Sequence, residues 1–248
     1  MFKFYILLIK TTGIVFRAVK YSETSIITDI YTEELGLRAY IISGVRSKNA
    51  KVSAGLLQVM SLVEAVVYHR EDKDLCRIKE IKAAYLFEDI PFNVQKGAIG
   101  LFLLEIMQKT IKEREQNEPL FKFLFNTICY LDETSDPIYN FHLSTMVKLS
   151  AYLGFLPSGE YSKTTPFFDL QEGTFVAEPS TTPNYLEPEL SQLLDQFLKT
   201  GMNQSHTISL TRPQRTQFLN ELINYYRLHV ENLPTINAHK VLKTVLEE

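Results

Sequence analysis

The chain has 248 residues, enough for two modest domains, and a formal net charge of −3, which argues weakly against nucleic-acid binding by the molecule as a whole. Its 45% hydrophobic and 22% charged residues are those of a globular protein, and no stretch approaches the ~20 apolar residues of a membrane span. The only cysteines, Cys76 and Cys129, lie far apart, which excludes a disulfide framework and points to a reducing compartment.

The charge is unevenly spread. Residues 1–85 hold 13 Lys and Arg against 9 Asp and Glu, whereas the remainder holds 13 against 20. A basic front and an acidic back imply different partners for the two parts.

Residues 1–10, MFKFYILLIK, contain an apolar run too short for a signal peptide and no small-residue cleavage site follows. They read as a lead-in to the first strand, with disorder expected in part of it. From Thr11 the chain alternates. Ile14, Phe16 and Ala18 alternate with Val15, Arg17 and Val19; Ile26, Thr28 and Ile30 with Ile27, Asp29 and Tyr31; Leu37, Ala39 and Ile41 with Arg38, Tyr40 and Ile42. Period-2 alternation of β-branched and aromatic residues predicts three strands. Thr32–Gly36 reads as a hairpin loop with Gly36 at positive φ. A basic loop follows, with Arg46, Lys48 and Lys51 and no acid among them. Two further strands are predicted within Gln58–Arg70 and over Leu75–Ala84. Five short strands with a connecting segment between the third and fourth suit an OB-fold, a small closed Greek-key barrel. Periodicity leaves the strand order open, and an SH3-like barrel is the alternative.

These residues also carry a family likeness. YSETSIITDIYTEELGLRAYIISGVRSK, with Gly13 before the first strand and Gly55-Leu56-Leu57-Gln58 after it, resembles the N-terminal domain of the RecO family, bacterial recombination mediators of DNA repair.

After a break at Glu88–Pro91 the period becomes helical. A first helix is predicted over Val94–Glu115, and a second from Pro119 to about Leu131. Asp136-Pro137 reads as the cap and first position of a third, which Gly154 and Pro157 stop. Pro157–Pro188 is rich in Pro, Ser, Thr and Gly. Within it FFDLQEGTFVAE, residues 167–178, predicts a hairpin turning at Glu172-Gly173. Helices resume over Leu186–Lys199, over Arg212–Glu231 with Thr211 as cap, and over Ala238–Leu246. The expected fold is therefore α+β and multi-domain: an OB-fold β-barrel domain at 1–85 and a helical domain with a β-hairpin insert at 86–248. YLGFLP, FFDLQEGTFV, LINYYRLHVENLP and the closing KVL resemble RecO segments in the same order, so the likeness spans nearly the whole chain from residue 11.

The candidate DNA-binding residues are Arg17, Lys20, Arg38, Tyr40, Arg46, Lys48 and Lys51. Lys and Arg neutralise phosphates, and Tyr40, on the parity of Arg38, offers a π-face to a base. No phosphate loop, nucleophile elbow or dinucleotide fingerprint is present, so no enzymatic activity is expected. The five histidines are scattered without ligand spacing. Many RecO proteins resemble one another in a four-cysteine zinc site flanking the hairpin; Pro157–Pro183 has neither Cys nor His here, so no metal and no cofactor are expected. Tyr225, Tyr226 and His229 read as core packing on one helix face or as part of a partner groove. The resemblance implies binding of single- and double-stranded DNA and annealing of complementary strands. It also implies cooperation with RecR in loading RecA onto strands coated by single-strand binding protein. The acidic C-terminal tail of that protein is expected in an apolar pocket flanked by cations, for which Lys148 and Arg227 are the candidates. A cytoplasmic, nucleoid-associated place follows from the same resemblance. The alternative is an adaptor of barrel and helices that touches no nucleic acid.

Overall fold

Alternating residues form five strands in the first half of the chain: β1 (Leu7–Lys20), β2 (Ile26–Thr32), β3 (Gly36–Ile42), β4 (Leu62–His69) and β5 (Leu75–Ala83). The computed structural model describes residues 6–45, 54–179 and 181–247. The strands close into a barrel in the order β1-β2-β3-β5-β4, with β4 pairing back onto β1. Only the β3–β5 pair is parallel. This is the OB arrangement, and it settles the choice against the SH3-like alternative. Inward residues Val15, Ile30, Tyr40, Val63 and Val67 are at most 1% exposed and fill the barrel.

The first strand is longer than its sequence predicts. Leu7–Lys10, read as lead-in, belong to β1 and pair with Val66–His69 of β4. The apolar run read as lead-in is, from Leu7 on, part of the ladder. The first five residues of the lead-in lie outside the described residues.

The chain divides into two compact units, Met1–Asp89 with Ile111–Glu133, and Ile90–Thr110 with Thr134–Glu248. The first unit thus includes α2 (Glu118–Glu133) besides the barrel. The stretch before α2 binds the barrel through backbone: Leu37 N–H donates to the Glu113 carbonyl at 2.9 Å. Phe121 of α2 lies against Tyr31 (ring centroids 6.1 Å apart), which stacks on Phe16 at 5.7 Å. The buried Asp132 carboxylate accepts from the Glu88 and Asp89 amides (2.9 and 3.0 Å) and from the Tyr85 hydroxyl (3.1 Å), tying Tyr85–Asp89 to α2.

The second unit holds α1 (Val94–Thr110), α3 (Phe141–Tyr152), α4 (Pro188–Lys199), α5 (Arg212–His229) and α6 (Ala238–Glu247). Helix α1 ends five residues before the predicted Glu115, because from Ile111 the chain joins the barrel unit. Helix α3 is buried nearly all round, its polar His142, Ser144, Thr145 and Ser150 included, as a central helix must be. It starts at Phe141 and not at Asp136-Pro137. The Asn140 amide donates to the Ser205 and Ile208 carbonyls (3.1 and 2.8 Å), and Phe141 N–H closes a turn on Ile138, so tertiary bonds set the start that a local cap was expected to set. Its end follows the sequence: Gly154 sits at φ +87, Phe155 N–H reaches the Ser150 carbonyl and Gly154 N–H that of Ala151, a Schellman arrangement. Thr211 and Gln214 cap α5 reciprocally. The hairpin β6 (Phe167–Asp169) and β7 (Thr174–Val176) forms as predicted, and β8 (Tyr185–Leu186) adds a third strand beside β6.

Gly36 begins β3 at φ +63, and a Cβ there would land on the Glu115 carbonyl and 2.9 Å from that of Glu113. Both Gly36→Ala and Gly36→Asn should therefore lower stability, by about 2 kcal/mol or more in denaturant unfolding. Asparagine tolerates the left-handed region but not the collision, so a near-neutral Gly36→Asn would show that φ alone matters.

Candidate nucleic-acid interface

The outward positions of the barrel strands are where the first unit can meet a ligand. Arg17 lies opposite Asp29 across the β1–β2 ladder, with its side chain 67% exposed and 3.9 Å from that carboxylate. At that separation, largely in water, the pair is weak and leaves Arg17 available. Lys20 is exposed at the end of β1. The basic loop residues Arg46, Lys48 and Lys51 lie outside the described residues.

Arg38 and Tyr40 differ from their expected role. Tyr40 is fully buried in the barrel core, and burial raises the pKa of its phenol far above the ordinary value. Its ring has no face to offer a base. Arg38 is half-buried and spends its guanidinium on carbonyls, Nε to Leu35 at 3.3 Å and Nη2 to Arg114 at 2.9 Å. Both side chains share a strand parity that points inward at Tyr40. At Arg38, near the strand's start, the long side chain reaches back out to backbone oxygens. Tyr31 is likewise buried.

The structure adds cations that the sequence reading passed over. Lys10 and Lys82, on β1 and β5, bracket Glu64 of β4 between them at 3.1 and 3.2 Å, and the two lysine side chains remain 71% and 70% exposed. Hydrogen bonds from Lys10 and then Lys82 hold the Glu64 carboxyl below its usual pKa. Only strand pairing brings these three residues together. The one local signal was Lys10 alternating with apolar neighbours, inside a stretch read as lead-in.

In the second unit the proposed partner cations separate. Lys148 Nζ donates to the Leu198 carbonyl in the last turn of α4 at 2.8 Å, and burial pulls its pKa down. It serves as a cap for α4. Arg227 is exposed on α5, while its neighbours are core: the Tyr225 and Tyr226 hydroxyls donate to the Phe155 and Met146 carbonyls, and His229 Nε2 lies 2.9 Å from the Leu170 oxygen. A pocket of the expected character lies elsewhere, between α5 and α6. Leu219, Leu242 and Leu246 line it with Arg212, Arg215 and Lys243, and buried His142 stands at its back. Burial lowers the His142 pKa to about 3, so the ring is neutral at physiological pH, and its Nδ1 has no hydrogen-bond partner among the described residues.

Comparison with known proteins decides the lineage. The model for "Recombination protein O N terminal" matches residues 6–87, and that for "Recombination protein O C terminal" matches residues 92–235. The chain belongs to the RecO family. It is similar to proteins named DNA repair protein RecO from Bacteroides fragilis (34% identical over 239 residues, 96% of this chain and 99% of the relative) and Phocaeicola vulgatus (33% over 234 residues, 94% and 97%). A Flavobacterium psychrophilum protein of the same name is 34% identical over 239 residues, 96% and 98% of the two chains. No helix among the described residues is long and apolar enough to cross a membrane.

The zinc site of many RecO proteins does not fit this chain. The hairpin region lacks cysteine and histidine donors, and among the described residues no group of three or more His, Cys, Asp or Glu could hold a metal. The hairpin is held by packing and backbone bonds. Phe168 meets Phe175 at 5.0 Å and Tyr225 at 5.8 Å, and Ser158 N–H donates to the Gly173 carbonyl at 2.8 Å.

The two barrel arginines should separate in mutagenesis. Arg38→Ala leaves the Leu35 and Arg114 carbonyls without their charged donor, and should cost about 1–2 kcal/mol of stability. Arg17→Ala should stay within about 0.5 kcal/mol. Paired thermal and denaturant unfolding curves check this; equal losses in the two variants would contradict the division of roles.

Proposed function

We propose that this RecO-family chain is a recombination mediator that binds single- and double-stranded DNA and anneals complementary strands. In this reading it works with RecR to load RecA onto DNA coated by single-strand binding protein. The observation that carries the proposal is the set of exposed cations, Arg17, Lys20, Lys10 and Lys82, on an OB barrel whose residues 1–85 are net basic. Annealing requires two phosphate backbones to be neutralised while base edges stay free, which favours phosphate contacts over base readout. The chain then acts by binding alone, with no hydrolysis of its own, in the cytoplasm at the nucleoid. The acidic balance of the second half favours a second reading, an adaptor that holds proteins and touches no nucleic acid.

A salt titration with a labelled oligonucleotide discriminates. For a single strand, log K against log salt changes by about 0.7 per phosphate neutralised. The wild type should show a steep slope. Replacing Arg46, Lys48 and Lys51 together by Ala should flatten it by roughly two units if all three sit on phosphates, with little sequence dependence. No salt-dependent binding by the wild type would leave the adaptor reading. An unchanged slope in the triple variant would move the contacts to Arg17 and Lys20.

For the single-strand binding protein tail, the α5–α6 pocket supports the reading better than Lys148 and Arg227 do. It joins an apolar floor, Leu219 and Leu242, to exposed cations at Arg212 and Lys243. An acidic peptide ending in Phe should bind the full chain, and the charge reversals Arg212→Glu and Lys243→Glu should each weaken it roughly tenfold or more. Fluorescence anisotropy of a labelled peptide reads this, and peptide affinity that survives both reversals would exclude the pocket.

A further inference from the structure

The barrel strands carry four aromatic rings, Phe16, Tyr31, Tyr40 and Tyr68. The first three are at most 2% exposed. Tyr68 differs. Its neighbours Val67 and His69 are buried while Tyr68 itself is only partly buried, so its side chain lies on the outer face of β4. Directly opposite on β5 is Arg77, exposed between buried Cys76 and Ile78. Directly opposite on β1 is Leu8, 55% exposed. Beyond Arg77, across the parallel pair, is partly buried Ile41. One transverse row of the sheet therefore reads Leu8, Tyr68, Arg77, Ile41. Among the described residues, neither the Tyr68 nor the Arg77 side chain has a hydrogen-bond or ion-pair partner.

A surface cation without a carboxylate beside a ring without a hydrogen bond is unusual in this sheet. Glu64 is shared by Lys10 and Lys82, and Arg17 has Asp29. A register shift at Val66 and Val67 leaves Lys79 unpaired in the ladder, and Lys79 and Glu80 are both exposed in consequence. Those two pair with each other at 3.4 Å, which again leaves Arg77 alone.

We propose that Tyr68 and Arg77 form a base-stacking platform for single-stranded nucleic acid on the β1–β4–β5 face of the barrel. The proposal rests on the DNA-binding reading and adds to it a face and two residues. Tyr68 offers a ring to an unpaired base of any identity, with Leu8 and Ile41 as apolar flanks, and Arg77 takes the adjoining phosphate. Lys10 and Lys82 continue the cationic lining along the same outer face. The occupant is a single strand because a duplex keeps its bases stacked on each other, out of reach of a flat ring on a sheet.

The test uses the full chain and three probes: a mixed-sequence single strand, the same strand with abasic residues, and a duplex. Tyr68→Leu keeps the apolar packing and removes the π-face. Tyr68→Ala removes both, and Tyr68→Phe keeps the ring. The Leu and Ala variants should bind the base-bearing strand roughly five- to hundred-fold more weakly, while their affinity for the abasic strand and the duplex stays at the wild-type level. Tyr68→Phe should bind as wild type. Arg77→Ala should lower the salt slope by about 0.7 with base-bearing and abasic single strands alike. If the wild type binds the single strand and a folded Tyr68→Leu protein binds it equally well, the platform is wrong and the DNA reading stands. If the wild type binds none of the probes, both fall together.

Discussion

The long strand β1 is the constraint on which the barrel depends. Residues 7–14 pair with β4 and residues 13–20 with β2, so one strand supplies both edges that must meet for the sheet to close. A strand that serves two partners must bend, and the register shifts between Val15 and Arg17. Gly13 sits where the two ladders overlap, and a Cβ there would strike the Ile30 side chain. Closure in turn fixes which residues are inside. Once Val15 and Ile30 fill the barrel, the parity of every neighbouring strand follows from the ladder, and with it the short set of side chains left for solvent or ligand.

That parity also explains which charges are free to act. A cation near a protein's own carbonyls is a structural donor before it is a ligand site. Arg38 holds the Leu35 and Arg114 oxygens, Lys148 that of Leu198, and Lys96 that of Thr134 at 2.7 Å. Arg215 reaches Asn140 Oδ1 at 3.1 Å and the Leu210 carbonyl at 3.3 Å. Burial of such groups is tolerable because each charge has an oxygen to answer it. On the barrel strands, setting Arg38 aside leaves, among the described residues, the outward cations of β1 and β5.

Much of this was legible in the sequence, and the failures share a cause. Strands β2, β3 and β5, the hairpin turn at Gly173, the Gly154 stop and the Thr211 cap were readable because each depends on residues within a few positions of one another. Asp136-Pro137 misled because the start of α3 is set by Asn140 bonding to oxygens more than sixty residues away. Tyr40 misled because alternation says which residues share a face but not which face is inside, and a charged neighbour suggested the wrong answer. Lys10, Glu64 and Lys82 were invisible as a group, since nothing local marks three residues that only a closed sheet makes adjacent.

The net charge of −3 describes no single surface of the chain. At physiological ionic strength a surface charge is screened over about 8 Å, so a phosphate backbone placed on the barrel would respond to the charges within that reach and hardly to any beyond it. Within that range the count is local: Lys10 and Lys82 share Glu64, Lys79 pairs with Glu80, Arg17 lies 3.9 Å from Asp29, and Arg77 has no ion-pair partner among the described residues. An acidic remainder is then compatible with a cationic sheet.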